Sequence, residues 1–120
     1  HIGTVARTKS AELIVKKINE KNTDNTPVIL MGDFNLPPES EPIQYLKQQF
    51  SDGQTSTKNS FYGPTGTFNG FNPNKILDTR IDYIFTDFLG VEAYMHIDDR
   101  MENNKHISDH LPVMAKLNFQ

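Results

Sequence analysis

The stretch Pro27-Val28-Ile29-Leu30-Met31-Gly32-Asp33-Phe34-Asn35-Leu36-Pro37-Pro38 decides how the rest of the chain is read. Val28 to Met31 is a short unbroken apolar run, the pattern of a strand buried on both faces. It runs into Gly32, which permits a turn or a close approach. Asp33 and Asn35 are separated by one residue, so in an extended segment they point the same way. A carboxylate and a carboxamide at the carboxyl end of a buried strand are well placed to act on a ligand. The same four residues, Gly32 to Asn35, also suit a plain Asp/Asn turn, and alone they do not choose between the two. Pro37 and Pro38 cannot continue a sheet ladder and close the strand.

On the amino-terminal side, the spacing predicts a helix from Val5 to about Asn22, with Ala11, Ile14, Val15 and Ile18 on one face. Glu12 and Lys16 form an i,i+4 pair on the outer side. The turn formers Asn22 to Pro27 then break it. Helix, turn and strand make half of an α/β unit. On the carboxyl side, Ser40 is the expected N-cap of a short helix ending near Gln49, with Ile43, Leu46 and Phe50 inward. Ser51 to Ser60 is polar without periodicity and reads as loop. Phe61 to Asn74 interleaves Gly and Pro with Phe61, Tyr62, Phe68 and Phe71. Turns with aromatic anchors account for it, as does a substrate-facing loop that stacks on a base or sugar.

Arg80 to Thr86 is a second strand, with Ile81, Tyr83 and Phe85 on one face and Asp82 and Ile84 on the other. Burying Asp82 unpaired would be costly, so it needs a partner. A turn at Asp87 to Gly90 leads to a strand from Val91 to Ile97, and Asp98 to Lys105 is a charged, solvated loop. Ser108-Asp109-His110 precedes the final strand, in which Val113, Ala115, Leu117 and Phe119 alternate with more polar positions.

The length of 120 residues fits one domain. With no cysteine there is no disulfide and no thiolate chemistry, and too few closely spaced histidines remain for a structural zinc site. The formal net charge of -3 gives no general attraction to polyanions. No apolar run reaches membrane-spanning length. Composition leaves the compartment open. The polar residues attached to strands form three groups: Asp33 with Asn35, Asp82, and Asp109 with His110. Such an oxygen-rich set suits Mg²⁺ or Mn²⁺.

Gly32-Asp33-Phe34-Asn35, Arg80-Ile81-Asp82-Tyr83-Ile84-Phe85 and Ser108-Asp109-His110-Leu111-Pro112-Val113, in this order, resemble the last three motifs of the endonuclease/exonuclease/phosphatase family. His1 to Ile14 resembles the segment after the family's first His motif, and Thr65 to Phe71 resembles its loop before the second strand. The resemblance implies an α/β fold, the C-terminal half of a DNase I-like four-layer αββα sandwich. It implies metal-dependent hydrolysis of a phosphodiester, in nucleic acid or another phosphate ester, by an activated water, with Mg²⁺ or Mn²⁺ as cofactor. By resemblance, Asp33 polarises that water near the metal, and Asn35 holds it with a phosphate oxygen. Asp82 orients the catalytic His110, which contacts the scissile phosphate, and Asp109 joins Asp33 at the metal.

The family's metal-binding Glu, an early Asn and the first His have no counterpart in the chain. Residues 1–120 therefore read as one partial domain of a longer parent, inactive alone. An alternative from another class is a non-catalytic fragment or subunit that associates, with itself or with the missing N-terminal half, through an exposed sheet face.

Overall fold

The computed structural model describes residues 2–120. Helix α1 (Ile2–Lys21) is followed by strand β1 (Val28–Asp33), helix α2 (Glu41–Gln49), a short strand β2 (Ser51–Asp52) and a single helical turn α3 (Gly53–Ser56). Strands β3 (Asp82–Asp87), β4 (Leu89–His96) and β5 (Val113–Phe119) complete the order. Two antiparallel sheets form, one of order β1-β3-β2 and one pairing β4 with β5.

Alternation along β3 joins the layers. Tyr83 and Phe85 point to the helices, where they pack with Ala11 and Val15 of α1 and Ile43 and Leu46 of α2. Ile84 points the other way, onto Val91, Tyr94, Val113, Ala115 and Leu117 of the second sheet. Helices, sheet and sheet thus make three successive layers, the C-terminal half of the αββα sandwich. Each fully buried Leu, Ile or Phe in these clusters contributes about 1.5–3 kcal/mol. Between β3 and β4 the chain turns at Phe88, whose amide bonds the Asp87 carboxylate, and β4 leaves for the second sheet.

Several expectations need correction. β1 is not buried on both faces: Val28 and Leu30 pack under the helices, whereas Ile29 and Met31 are 51% and 67% exposed. The second sheet packs against Ile84 of β3 and leaves these outward residues of β1 uncovered. Lys16 pairs with Glu20, at 3.9 Å, rather than with Glu12. Ser40 stands at the N-cap position of α2 but its hydroxyl donates to the Pro37 carbonyl instead. Phe119, at the end of β5, is exposed.

The stretch expected to be loop, Ser51 to Ser60, begins with β2 and contains Asp52, which is buried. Asp52 accepts a two-pronged ion pair from Arg80, with Nη1 to Oδ2 at 2.7 Å and Nη2 to Oδ1. The Arg80 guanidinium also lies over the Tyr83 ring, 4.5 Å from its centroid. Removing one partner of such a buried pair strands the other charge, so Asp52→Ala should destabilise the protein by about 3–5 kcal/mol. Urea unfolding measures this, and a loss under ~1 kcal/mol would show the pair to be solvated and dispensable.

Candidate active site

The sheet register brings the two carboxylate strands together. β1 and β3 run antiparallel with Asp33 opposite Asp82, and the pairing extends one step further as the Phe34 amide bonds the Ile81 carbonyl at 2.9 Å. Both Asp residues therefore sit at one end of the central sheet. Their side chains line a groove of about 350 Å³ together with Met31, Gly32, Leu111 and Val113. Gly32 has φ of 153°, a positive value that favours glycine.

His110 reaches the same end from the segment before β5. Its Nδ1 lies 2.8 Å from Oδ2 of Asp82 and its Nε2 lies 3.7 Å from Oδ2 of Asp33. A carboxylate only accepts, so Nδ1 carries a proton and donates to Asp82. The partner that Asp82 needed is thus His110. The opposite nitrogen faces Asp33 at a distance too long for a hydrogen bond but short enough for charge attraction. Partial burial pulls the imidazole pKa down. The hydrogen bond to Asp82 and the negative charges of Asp82, Asp33 and Asp109 outweigh it, so the net shift is upward. Phe68 packs its ring edge-on to His110, with centroids 5.3 Å apart.

Asn35 departs from the extended geometry in which it would parallel Asp33. Its φ is 52°, and its amide donates to Asp33 Oδ1 at 2.8 Å. Asp33 thus closes an Asx turn, and Asn tolerates the left-handed φ at position 35 better than most residues. The turn uses one carboxylate oxygen of Asp33 and leaves Oδ2 towards His110. Asn35 is exposed beside it.

Asp33, Asp82 and His110 each offer a ligand atom, and these atoms lie within 4.8 Å of one another. Asp109 is outside this trio; its charge bears on the His110 ring, while its carbonyl accepts the Asn69 amide at 2.8 Å. With carboxylates supplying most donors, the chemistry fits a hard divalent cation.

The sequence did not single out Thr67 and Asn69, which are fully buried in the Gly/Pro-rich segment. A polar residue amid turn formers carries no burial signal of its own; the clue was their alternation about Phe68. His96 and His106 are buried too. His96 Nδ1 sits 2.8 Å from the Pro64 carbonyl, and burial pushes its pKa down. These histidines belong to the scaffold.

Comparison with known proteins agrees with the geometry. No curated protein matches the chain. Among solved structures, a mannosyl-6-phosphatase of Bacteroides thetaiotaomicron is 32% identical with a TM-score of 0.87, over 99% of this chain and 48% of that one. An endonuclease/exonuclease/phosphatase family protein of the same organism is 33% identical with a TM-score of 0.87, over 100% of this chain and 48% of that one. A functionally unknown conserved protein of Enterococcus faecalis is 28% identical with a TM-score of 0.86, over 98% and 46% respectively. The chain spans about half the length of these structures. No helix among the described residues is long and apolar enough to cross a membrane. Residues 2–110, which hold the first two motifs, the Ser108-Asp109-His110 start of the third and the Asp33–His110–Asp82 contact, match the endonuclease/exonuclease/phosphatase family, and the chain belongs to it.

Proposed function

We propose that the chain supplies the catalytic end of a metal-dependent phosphoesterase, as part of a longer protein. The observation that carries this reading is His110 held between two carboxylates, bonded at Nδ1 to Asp82 and turned with Nε2 towards Asp33. Hydrolysis of a phosphate ester needs an oriented water and donors facing the charge that builds on phosphorus-bound oxygens. Asp33 polarises or deprotonates the water, and Asn35 holds it with a phosphate oxygen. His110 donates to the scissile phosphate from Nε2 when protonated, and Asp82 fixes its tautomer. Asp33 and Asp109 are the proposed holders of Mg²⁺ or Mn²⁺, which when bound lowers the pKa of water and neutralises phosphate oxygens.

The first reading takes a phosphodiester substrate, in nucleic acid or another ester, within a family that spans nucleases and phosphatases. A second reading, a sugar phosphate monoester, is favoured by the similarity to a protein named as a mannosyl-6-phosphatase. Turnover by the intact protein of bis(p-nitrophenyl) phosphate and of hexose 6-phosphates, with Mg²⁺ supplied, separates the two. Faster hydrolysis of the diester supports the first reading, and faster release of phosphate from the hexose esters supports the second. Hydrolysis of neither class, nor of other phosphoesters, would overturn the proposed function.

Exposed Ile29 and Met31 on the central sheet support a further element of the reading, association with the other half of the domain or with a second copy. Residues 1–120 alone should hydrolyse nothing measurable and should associate in light scattering. A stable monomer that hydrolyses at the intact protein's rate would show that the chain is a complete catalyst and sink this element.

A further inference from the structure

We infer that Thr67 and Asn69 are positioning residues that hold the start of β3 and the His110 segment before β5 at the distance the Asp82 and His110 side chains need to bond; the inference rests on the catalytic reading of that pair. Thr67 Oγ1 accepts from two successive amides, Ile81 at 3.1 Å and Asp82 at 3.2 Å. The Thr67 carbonyl accepts from the Leu111 amide at 2.7 Å, and its own amide donates to the Thr79 carbonyl at 2.8 Å. One residue thus ties the start of β3 to the residue after His110. Asn69 works on the other side of His110. Its amide donates to the Asp109 carbonyl at 2.8 Å, and its Nδ2 donates to the Ser108 carbonyl at 3.0 Å. Its Oδ1 accepts the Phe71 amide at 2.7 Å, closing a turn that passes through Gly70 and Phe71, both at positive φ.

Any buried Thr or Asn needs hydrogen-bond partners, so satisfaction alone says nothing about function. The choice of partners does. Apart from Thr79 and Phe71, every bond named ends on Asp82 or its neighbour, or within two residues of His110. Phe68, between the two, packs on the His110 ring and bridges the backbone of both Thr79 and His110. Asp and His side chains have two rotatable bonds each, so they cannot absorb a large backbone displacement and still meet at 2.8 Å. A misplacement of about 1 Å can cost on the order of 100-fold in rate. The backbone approach is close enough that a Cβ on Gly66 would fall 2.4 Å from the Thr79 nitrogen.

The test uses the intact protein. Thr67→Val keeps the side chain's shape and removes the oxygen that both amides use. It should lower kcat by about 10- to 100-fold, the scale for residues that orient a reacting group, and should leave KM within about 3-fold, because no contact to the substrate is lost. Thr67→Ser restores the oxygen and should recover most of the rate, a recovery that a packing role for the lost methyl would not give. In an Asp82→Asn background, Thr67→Val should cost little more, since the contact it positions is already lost. Should Thr67→Val not fold, Asn69→Ser serves, with the same split expected. Unchanged kcat, failed rescue by Ser, or losses that multiply with Asp82→Asn would overturn the inference. If Asp82→Asn and His110→Ala themselves leave hydrolysis intact, the catalytic reading falls first and takes the inference with it.

Discussion

His110→Ala in the intact protein is expected to lower kcat by roughly 100- to 10,000-fold, the range for loss of a positioned proton-transfer group. Asp82→Asn should cost less, because the imidazole stays present but loses the anion that orients it and favours its charged form. The His110 pKa is raised in the folded protein because bonding to Asp82 and three carboxylate charges overcome the effect of burial. Removing the Asp82 charge should move that pKa down. If the imidazolium form is the one that stabilises the developing charge on phosphate, activity persists only below the His110 pKa. The alkaline limb of the pH–rate profile should then shift to lower pH in Asp82→Asn, and not to higher. The two residues act as one unit, so the double variant should cost little more than His110→Ala alone. Steady-state kinetics of the singles and the double across pH decide the matter. Fully multiplicative losses with an unmoved alkaline limb would leave Asp82 as a structural residue.

The same pair shows what could be read from the sequence and what could not. Alternation along Arg80 to Thr86 correctly put Tyr83 and Phe85 opposite Ile84, because a period of two is a local property of a strand. It also left Asp82 in apolar company and so in need of a partner. Nothing local could name His110, 28 residues away, as that partner; the resemblance did so, and the 2.8 Å contact agrees. The four histidines in the chain look alike in sequence. What separates His110 from His96 and His106 is burial and neighbours, which are tertiary facts.

Other misreadings have the same origin. Asp52 sits in a polar run without periodicity, and only Arg80, brought alongside by the pairing of β2 with β3, gives it a buried partner. The apolar run Val28 to Met31 correctly marked a strand. How far each face is covered depends on what packs over it, and Ile29 and Met31 find no cover among the described residues. The Asp33–Asn35 pair was legible as chemistry or as a turn; the geometry shows the turn, which occupies Oδ1, with Oδ2 facing His110. A turn that engages one oxygen restricts the direction of the other, so the two readings of the pair do not exclude each other.

Chelation of the intact protein is expected to bring phosphoester hydrolysis to background, with full recovery on adding Mg²⁺ or Mn²⁺. The expectation starts from charge. Asp33, Asp82 and Asp109 all bear on one imidazole, and like charges gathered at one site repel unless a cation or a proton offsets them. His110 offsets part of this, yet its Nδ1 is committed to Asp82; on the proposed reading, a hard cation held by Asp33 and Asp109 offsets the rest. Asp33→Asn keeps the size of the side chain and an oxygen for the Asn35 amide while deleting one negative charge. It should raise the Mg²⁺ concentration for half-maximal activity by at least about 10-fold, the lower end of what even an outer ligand contributes. The same change also removes a charge that favours the imidazolium, so a drop in rate by itself is ambiguous. Titrating Mg²⁺ at several pH values separates the two: a metal effect persists well below the His110 pKa, whereas an effect through His110 vanishes there. Undiminished turnover in excess chelator, with no metal found by elemental analysis, would remove the cation from the reaction and leave His110 as the principal positive charge facing the phosphate.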